Sequence, residues 1–223
     1  VMTKYDVKIN MSDFVLEDLK WWRNVLSDIE KCSASFDLIL KTPSDGDFNI
    51  YTDATTTLGF GGFCNDCGFQ VDWKDTLKPT LEQEYGKFDI STLELLVSIV
   101  AIAIFASKFR HKAVSIHNDN PTASKSIRTK APPLRRLDLQ FLVRTLATFA
   151  VESKFYFWGM HTTPKESKEM VMADQLSRLE MKSFFFHSGK LKVDFSDEAK
   201  KVCNSLLSEI VHHPILEKVS DIE

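Results

Sequence analysis

Between Met11 and Lys31, apolar side chains recur every three or four residues (Phe14, Val15, Leu19, Trp22, Leu26, Ile29), behind Ser12 as a candidate N-cap. That period predicts an amphipathic helix, with Trp22 on its apolar stripe and Trp21 at the stripe's edge, suited to docking. The run Thr42-Pro43-Ser44-Asp45-Gly46-Asp47 is turn chemistry and marks a boundary. Beyond it the period shortens to two, which predicts strands over about 48–54, 58–64 and 68–73, with Asn65-Asp66 turning the second into the third. Residues 79–89 are polar and read as a loop. Ile90 to Ala106 is apolar nearly all round, so it predicts a buried central helix. Val114 to Asn120 reads as a strand, and Pro121 opens a helix at its first position. Leu134 to Ala150 is amphipathic, Lys154 to His161 alternates as a strand, and Thr162 to Met170 reads as a loop. A helix is expected from Val171, with Asp174 near its amino end. A last one is expected from Ser196, as N-cap, to Val211.

This order gives an α/β fold with a mixed five-stranded sheet, its first three strands antiparallel, flanked by helices. Three regions follow: a helical arm over 1–45, the main domain over 46–180 and a helical extension over 181–223. Composition adds modest limits. Of 223 residues, 43% are hydrophobic and 26% charged, as in an ordinary soluble globular protein. The net charge of −3 argues against a general coat of positive charge for nucleic acid, while leaving local basic patches open. No apolar run reaches the roughly 18 residues of a membrane span, so no membrane partner is expected. The amino terminus lacks the pattern of a secretory signal. Four scattered cysteines make no disulfide framework, and Cys64 and Cys67 lack the second pair that a zinc site needs. An intracellular location, cytoplasmic or nuclear, is the expectation.

Four acids stand out by where they fall. Asp53 lies on the first strand, Glu94 in what reads as the first turn of the central helix, Asp119 at the end of the fourth strand, and Asp174 near the start of a late helix. The carboxyl end of a strand is where α/β folds place functional groups. Four unpaired carboxylates at one sheet end would repel one another, whereas two hard divalent cations about 4 Å apart would hold them together. Lys125, Arg128, Lys130, Arg135 and Arg136 follow the Asp119 strand without an intervening acid, and suit phosphate binding.

Tyr51-Thr52-Asp53-Ala54, the Gly59 to Gly62 segment, Leu93-Glu94-Leu95-Leu96, Asn118-Asp119-Asn120 and Ala173-Asp174-Gln175-Leu176-Ser177-Arg178 together resemble the ribonuclease H domain of retroelement reverse transcriptases. The likeness covers about 47–180 and is nearest the DIRS-type, tyrosine-recombinase retrotransposons. Leu16 to Leu26 is similar to the connection joining polymerase to ribonuclease H in such proteins. The resemblance implies a ribonuclease H-like fold and metal-dependent endonucleolytic hydrolysis of the RNA strand of an RNA–DNA hybrid. It implies two Mg2+ ions, with Mn2+ able to substitute: Asp53 bridging both, Glu94 and Asp119 completing one site, Asp174 the other. His161 would match the family's mobile histidine in proton transfer. Here Thr162 to Met172 is longer than the family's loop and lacks its glycine. Asn120 and the five basic residues would grip the hybrid, and the arm would dock a polymerase domain or another protein. No polymerase motif occurs in the chain. Two origins therefore stand, a piece of a larger polyprotein and a domesticated module that binds nucleic acid or protein with weak or no cutting. An integrase-type DNA nuclease needs a three-acid set and other spacings.

Overall fold

The computed structural model describes residues 13–27, 46–133, 135–182, 184 and 192–212. By contacts the chain forms two compact units, Val1–Ser33 and Ala34–Glu223. In the first, α1 runs over Asp13–Leu26, inside the span the periodicity predicts. Its stripe is open to solvent: Val15, Leu19, Trp22 and Leu26 are 41–60% exposed. Trp21 and Trp22 meet edge to face at 4.8 Å. Ser12, the expected N-cap, and residues 28–45 lie outside the described residues.

The second unit is an α/β body around a mixed sheet in the order β5-β4-β1-β2-β3-β6. Strand β1 (Phe48–Ala54) is central: it pairs antiparallel with β2 (Gly59–Cys64) and parallel with β4 (Ala113–Asn118). β2 turns through Asn65, at φ 55°, into β3 (Cys67–Asp72), and β4 pairs in parallel with β5 (Tyr156–His161). The antiparallel first three strands match the expectation. Five strands do not: β6, only Lys192–Val193, adds a sixth, parallel to the outer edge of β3.

Residues 79–89 are not all loop. Lys78–Tyr85 forms helix α2, because Pro79 stands in the first turn, where a missing N–H costs nothing. Leu81 is its buried apolar anchor, and the buried Lys78 ammonium is satisfied by Thr56 O and Glu82 Oε2, each at 2.8 Å. Helix α3 (Ile90–Phe105) is buried almost throughout and packs on β1 and β2. Its N-cap is Asp89, whose carboxylate accepts from Ser91 N at 2.9 Å. Glu94 is thus the fifth residue of the helix, beyond the first turn and beyond the dipole benefit expected there. With the 3-10 turn that follows, Ile90–Lys108 is long and apolar enough to cross a membrane, contrary to the run-length reading. It is 72% buried inside the protein instead.

Helix α4 (Pro121–Thr129) lies across β5, and α5 (Leu137–Glu152), starting three residues later than the periodicity suggests, packs on α3. Helix α6 (Lys168–Ser177) covers the other side of β1 and β2. It begins before Val171 because Ser167 caps it, accepting from Glu169 N and Met170 N. Asp174 therefore falls in its second half. The approach is close: a Cβ on Gly61 would stand 2.4 Å from Leu176 Cβ, so only glycine fits. Helix α7 (Ser196–Val211) packs on α3, β3 and α2, burying Ala199, Cys203, Leu206, Leu207 and Ile210 in the main core. Ser196 is its first helical residue rather than its cap, and its hydroxyl accepts from Gln70 N at 3.1 Å.

Candidate metal centre

The parallel pair β1/β4 ends with polar residues on adjacent strands: Thr52 and Asp53 on one, Asn118 and then Asp119 on the other. Neighbouring strand residues point to opposite faces. Thr52 turns toward α3, where its hydroxyl meets Ser98 Oγ at 3.0 Å; Ser98 gives its own proton to Glu94 O, at 3.0 Å. Asp53 turns toward α6, where Ser177 Oγ donates to its Oδ2. Glu94 reaches the strand end from α3. Its Oε1 accepts from Ala54 N at 3.2 Å and its Oε2 from Asn118 Nδ2 at 2.7 Å. Asp53 is 5% exposed, Glu94 2% and Asn118 fully buried.

Asp53, Glu94 and Asp119 each offer an oxygen, and these atoms all lie within 4.8 Å of one another. Burial under a shared negative charge disfavours ionisation. It pushes Asp53 up to about 7, helped by Asp119 and Asp174 and opposed by the Ser177 hydrogen bond and Arg178. Burial raises Glu94 well above the usual carboxylate range, with Asp53 and Asp119 adding to it. Asp119, half-buried, is raised by burial and by Asp174. Three hard oxygen donors converging from β1, α3 and the β4 end could hold a hard metal ion, and a cation there would lift the repulsion. The residues fit such an ion.

Asp174 is not one of the three. Its Oδ1 accepts from Arg178 Nε at 2.7 Å, one turn further along α6, and its charge acts on both Asp53 and Asp119. His161, at the end of β5 opposite Asn118, donates from Nε2 to Asp119 O at 3.0 Å. Asn120 caps α4, its Oδ1 accepting from Thr122 N and Ala123 N. Among the basic residues, Lys125, Arg128, Lys130 and Arg135 are exposed. Lys130, at φ 54°, lays its ammonium over the rings of Tyr156 and Phe157, at 5.1 and 4.8 Å. Arg136 is engaged elsewhere, pairing with Asp138 at 2.8 Å and Asp89 at 3.1 Å and donating to Thr92. Burial would raise Asp138, yet Arg136 and Thr92 outweigh it and hold the carboxyl low.

Asn118, Ser177 and Arg178 touch the acids directly, and the sequence did not single them out for that. One signal was present: Asp174, Ser177 and Arg178 sit at i, i+3 and i+4, one face of one helix. His117 adjoins Asn118 but faces away, stacked on Tyr51 at 4.4 Å between rings. Asn49 Oδ1 can only accept, so Nε2 donates to it at 3.0 Å and Nδ1 accepts from Thr162 Oγ1 at 2.9 Å. Burial pushes this imidazole down to about 4, so it stays neutral at physiological pH. Comparisons with protein families, with curated proteins and with solved structures found no match to this chain.

Proposed function

We propose that the chain is a divalent-metal-dependent ribonuclease of the ribonuclease H type, an endonuclease cutting the RNA strand of RNA–DNA hybrids. One observation carries the reading: three carboxylates from elements up to 66 residues apart in sequence lie within 4.8 Å at the end of a mixed α/β sheet. Their motifs are those on which the sequence resembles retroelement ribonuclease H domains, and the antiparallel first three strands agree with it. Bound Mg2+ would supply a nucleophilic hydroxide and charge neutralisation at the leaving oxygen of a phosphodiester. The chain's own residues hold that chemistry in place. Asp53, Glu94 and Asp119 supply the ligand oxygens, and Asn118 and Ala54 N fix the Glu94 carboxylate from both sides. Ser177 fixes Asp53, and Asp174, paired with Arg178, stands beside them as the fourth acid. His161, tied to the backbone of Asp119, is positioned to move a proton at the edge of the site. Exposed Lys125, Arg128 and Arg135 suit the hybrid's phosphates, and the open stripe of α1 suits a partner domain such as a polymerase.

The second reading, a nucleic-acid or protein-binding module without cutting activity, draws on the Arg178–Asp174 pair, which engages the fourth acid. A labelled RNA–DNA hybrid incubated in Mg2+ and in Mn2+, beside Asp53→Asn, separates the two. RNA-strand cutting that vanishes in the variant supports the nuclease. A folded protein that holds the hybrid but cuts in neither metal overturns it.

A further inference from the structure

We infer that Arg178 competes with a second divalent cation for Asp174, so that the Asp53–Glu94–Asp119 triad takes the first ion and Asp174 accepts another only after its guanidinium partner is displaced. This rests on the metal-dependent reading above and adds an order of filling to it.

The geometry is set by α6. Ser177, fully buried, pins the carboxyl end of that helix to Asp53. Asp174 and Arg178 lie on the same face, three residues before Ser177 and one after it. The Asp174 side chain is 30% exposed and that of Arg178 50%, so the pair stands at the mouth of the site rather than in the core. Asp174 lies outside the group of ligand oxygens gathered within 4.8 Å, yet close enough for its charge to act on Asp53 and Asp119. The Arg178 charge acts on those same two residues with opposite sign. Arg178 is therefore a fixed monovalent counter-ion within electrostatic range of three of the four acids. A guanidinium fork suits carboxylates and cannot be deprotonated, so proton loss does not release Asp174. An exposed i,i+4 pair is weak, however, and a divalent cation at adequate concentration can displace it.

Direct Mn2+ binding to the full chain without nucleic acid, read by electron paramagnetic resonance and calorimetry, tests this. The wild type should show one tighter and one weaker site. Arg178→Gln should narrow the gap between the two affinities about three- to tenfold, while Arg178→Lys, which keeps the charge, narrows it less. Asp174→Asn should remove the weaker site alone. A gap unchanged in Arg178→Gln, or a weaker site that survives Asp174→Asn, overturns the competition and leaves the triad reading standing. A wild-type chain that binds no Mn2+ overturns both, and does so before any variant is made. Melting of each variant in chelator confirms that it is folded when titrated.

Discussion

Replacing Asp53 by Asn should stabilise the metal-free protein at neutral and alkaline pH. Burial raises the Asp53 carboxyl from 3.8 to about 7, so the fold favours the protonated form. The unfolded chain ionises from about pH 4, whereas the folded chain resists ionisation until about pH 7. Stability linked to this group is thus complete below about pH 4 and is lost as pH rises through 7. At about 1.36 kcal/mol per tenfold change in proton affinity, the rise from 3.8 to about 7 makes the loss about 4 kcal/mol. Asn is a neutral isostere of the protonated acid. The Ser177 hydroxyl, which donates to Asp53 Oδ2 and also lies 2.8 Å from Asp174 O, favours the ionised carboxylate, and burial outweighs it. A protonated carboxyl, or an amide NH2 in its place, can donate to Ser177 and leave the hydroxyl proton for Asp174 O. Urea unfolding in chelator between pH 4 and 8.5 measures this. Asp53→Asn should equal the wild type near pH 4 and exceed it by about 2–4 kcal/mol at pH 8. Millimolar Mg2+ should recover much of the wild-type deficit and little in the variant. A variant no more stable than the wild type at pH 8 would refute the argument that an ionised Asp53 is a burden on the empty fold.

Asn118→Ala removes the amide on Glu94 Oε2 and should lower stability by about 1–3 kcal/mol in urea unfolding at neutral pH. Gly159→Ala sets a Cβ 2.5 Å from Ser124 O and 2.8 Å from Arg128 N, and should lower Tm through a clash of about 1–3 kcal/mol where α4 crosses β5. Leu207→Ala, fully buried on α7, should cost about 2–5 kcal/mol and keep a single calorimetric transition for the α/β body. Lys125→Ala, Arg128→Ala and Arg135→Ala should each lower the salt dependence of hybrid binding by about one unit of slope, whereas Arg136→Ala, whose cation already serves Asp89 and Asp138, should leave the slope unchanged.

Much of the fold could be read from residue patterns because those patterns are long. Sixteen residues of α3 are apolar on nearly every side, and β1 alternates to an acid at its open end. The three clustered acids were visible for related reasons: Asp53 and Glu94 are carboxylates within apolar elements, and Asp119 stands at the carboxyl end of a strand. What escaped notice had short or non-local causes. β6 is two residues long, too short for any period, and owes its existence to the edge of β3. α2 buries one leucine and the stem of one lysine, too little to outline a face, and Pro79 reads as a breaker unless the helix start is known. The early start of α6 depended on a single cap, Ser167. Asn118 is an ordinary strand residue until Glu94 arrives from 24 positions away. Arg136 belongs to the same basic run as Arg128, and only the packing of α5 beside Asp89 separates their roles.

Vectorial synthesis gives the β3 edge a history. Gln70 N finds Ser196 Oγ only 126 residues later, and β6 and α7 arrive together with it. At translation rates of about 5–20 residues per second, that interval is on the order of ten seconds. Once α3 has emerged, the chain carries a strand with an unpaired outer side and an α3 surface still lacking Cys203, Leu206 and Leu207. Such a nascent intermediate is sticky by construction. A ribosome that stalls before residue 192 would leave behind a five-stranded sheet with the outer side of β3 bare, which invites pairing with its neighbours on the same message.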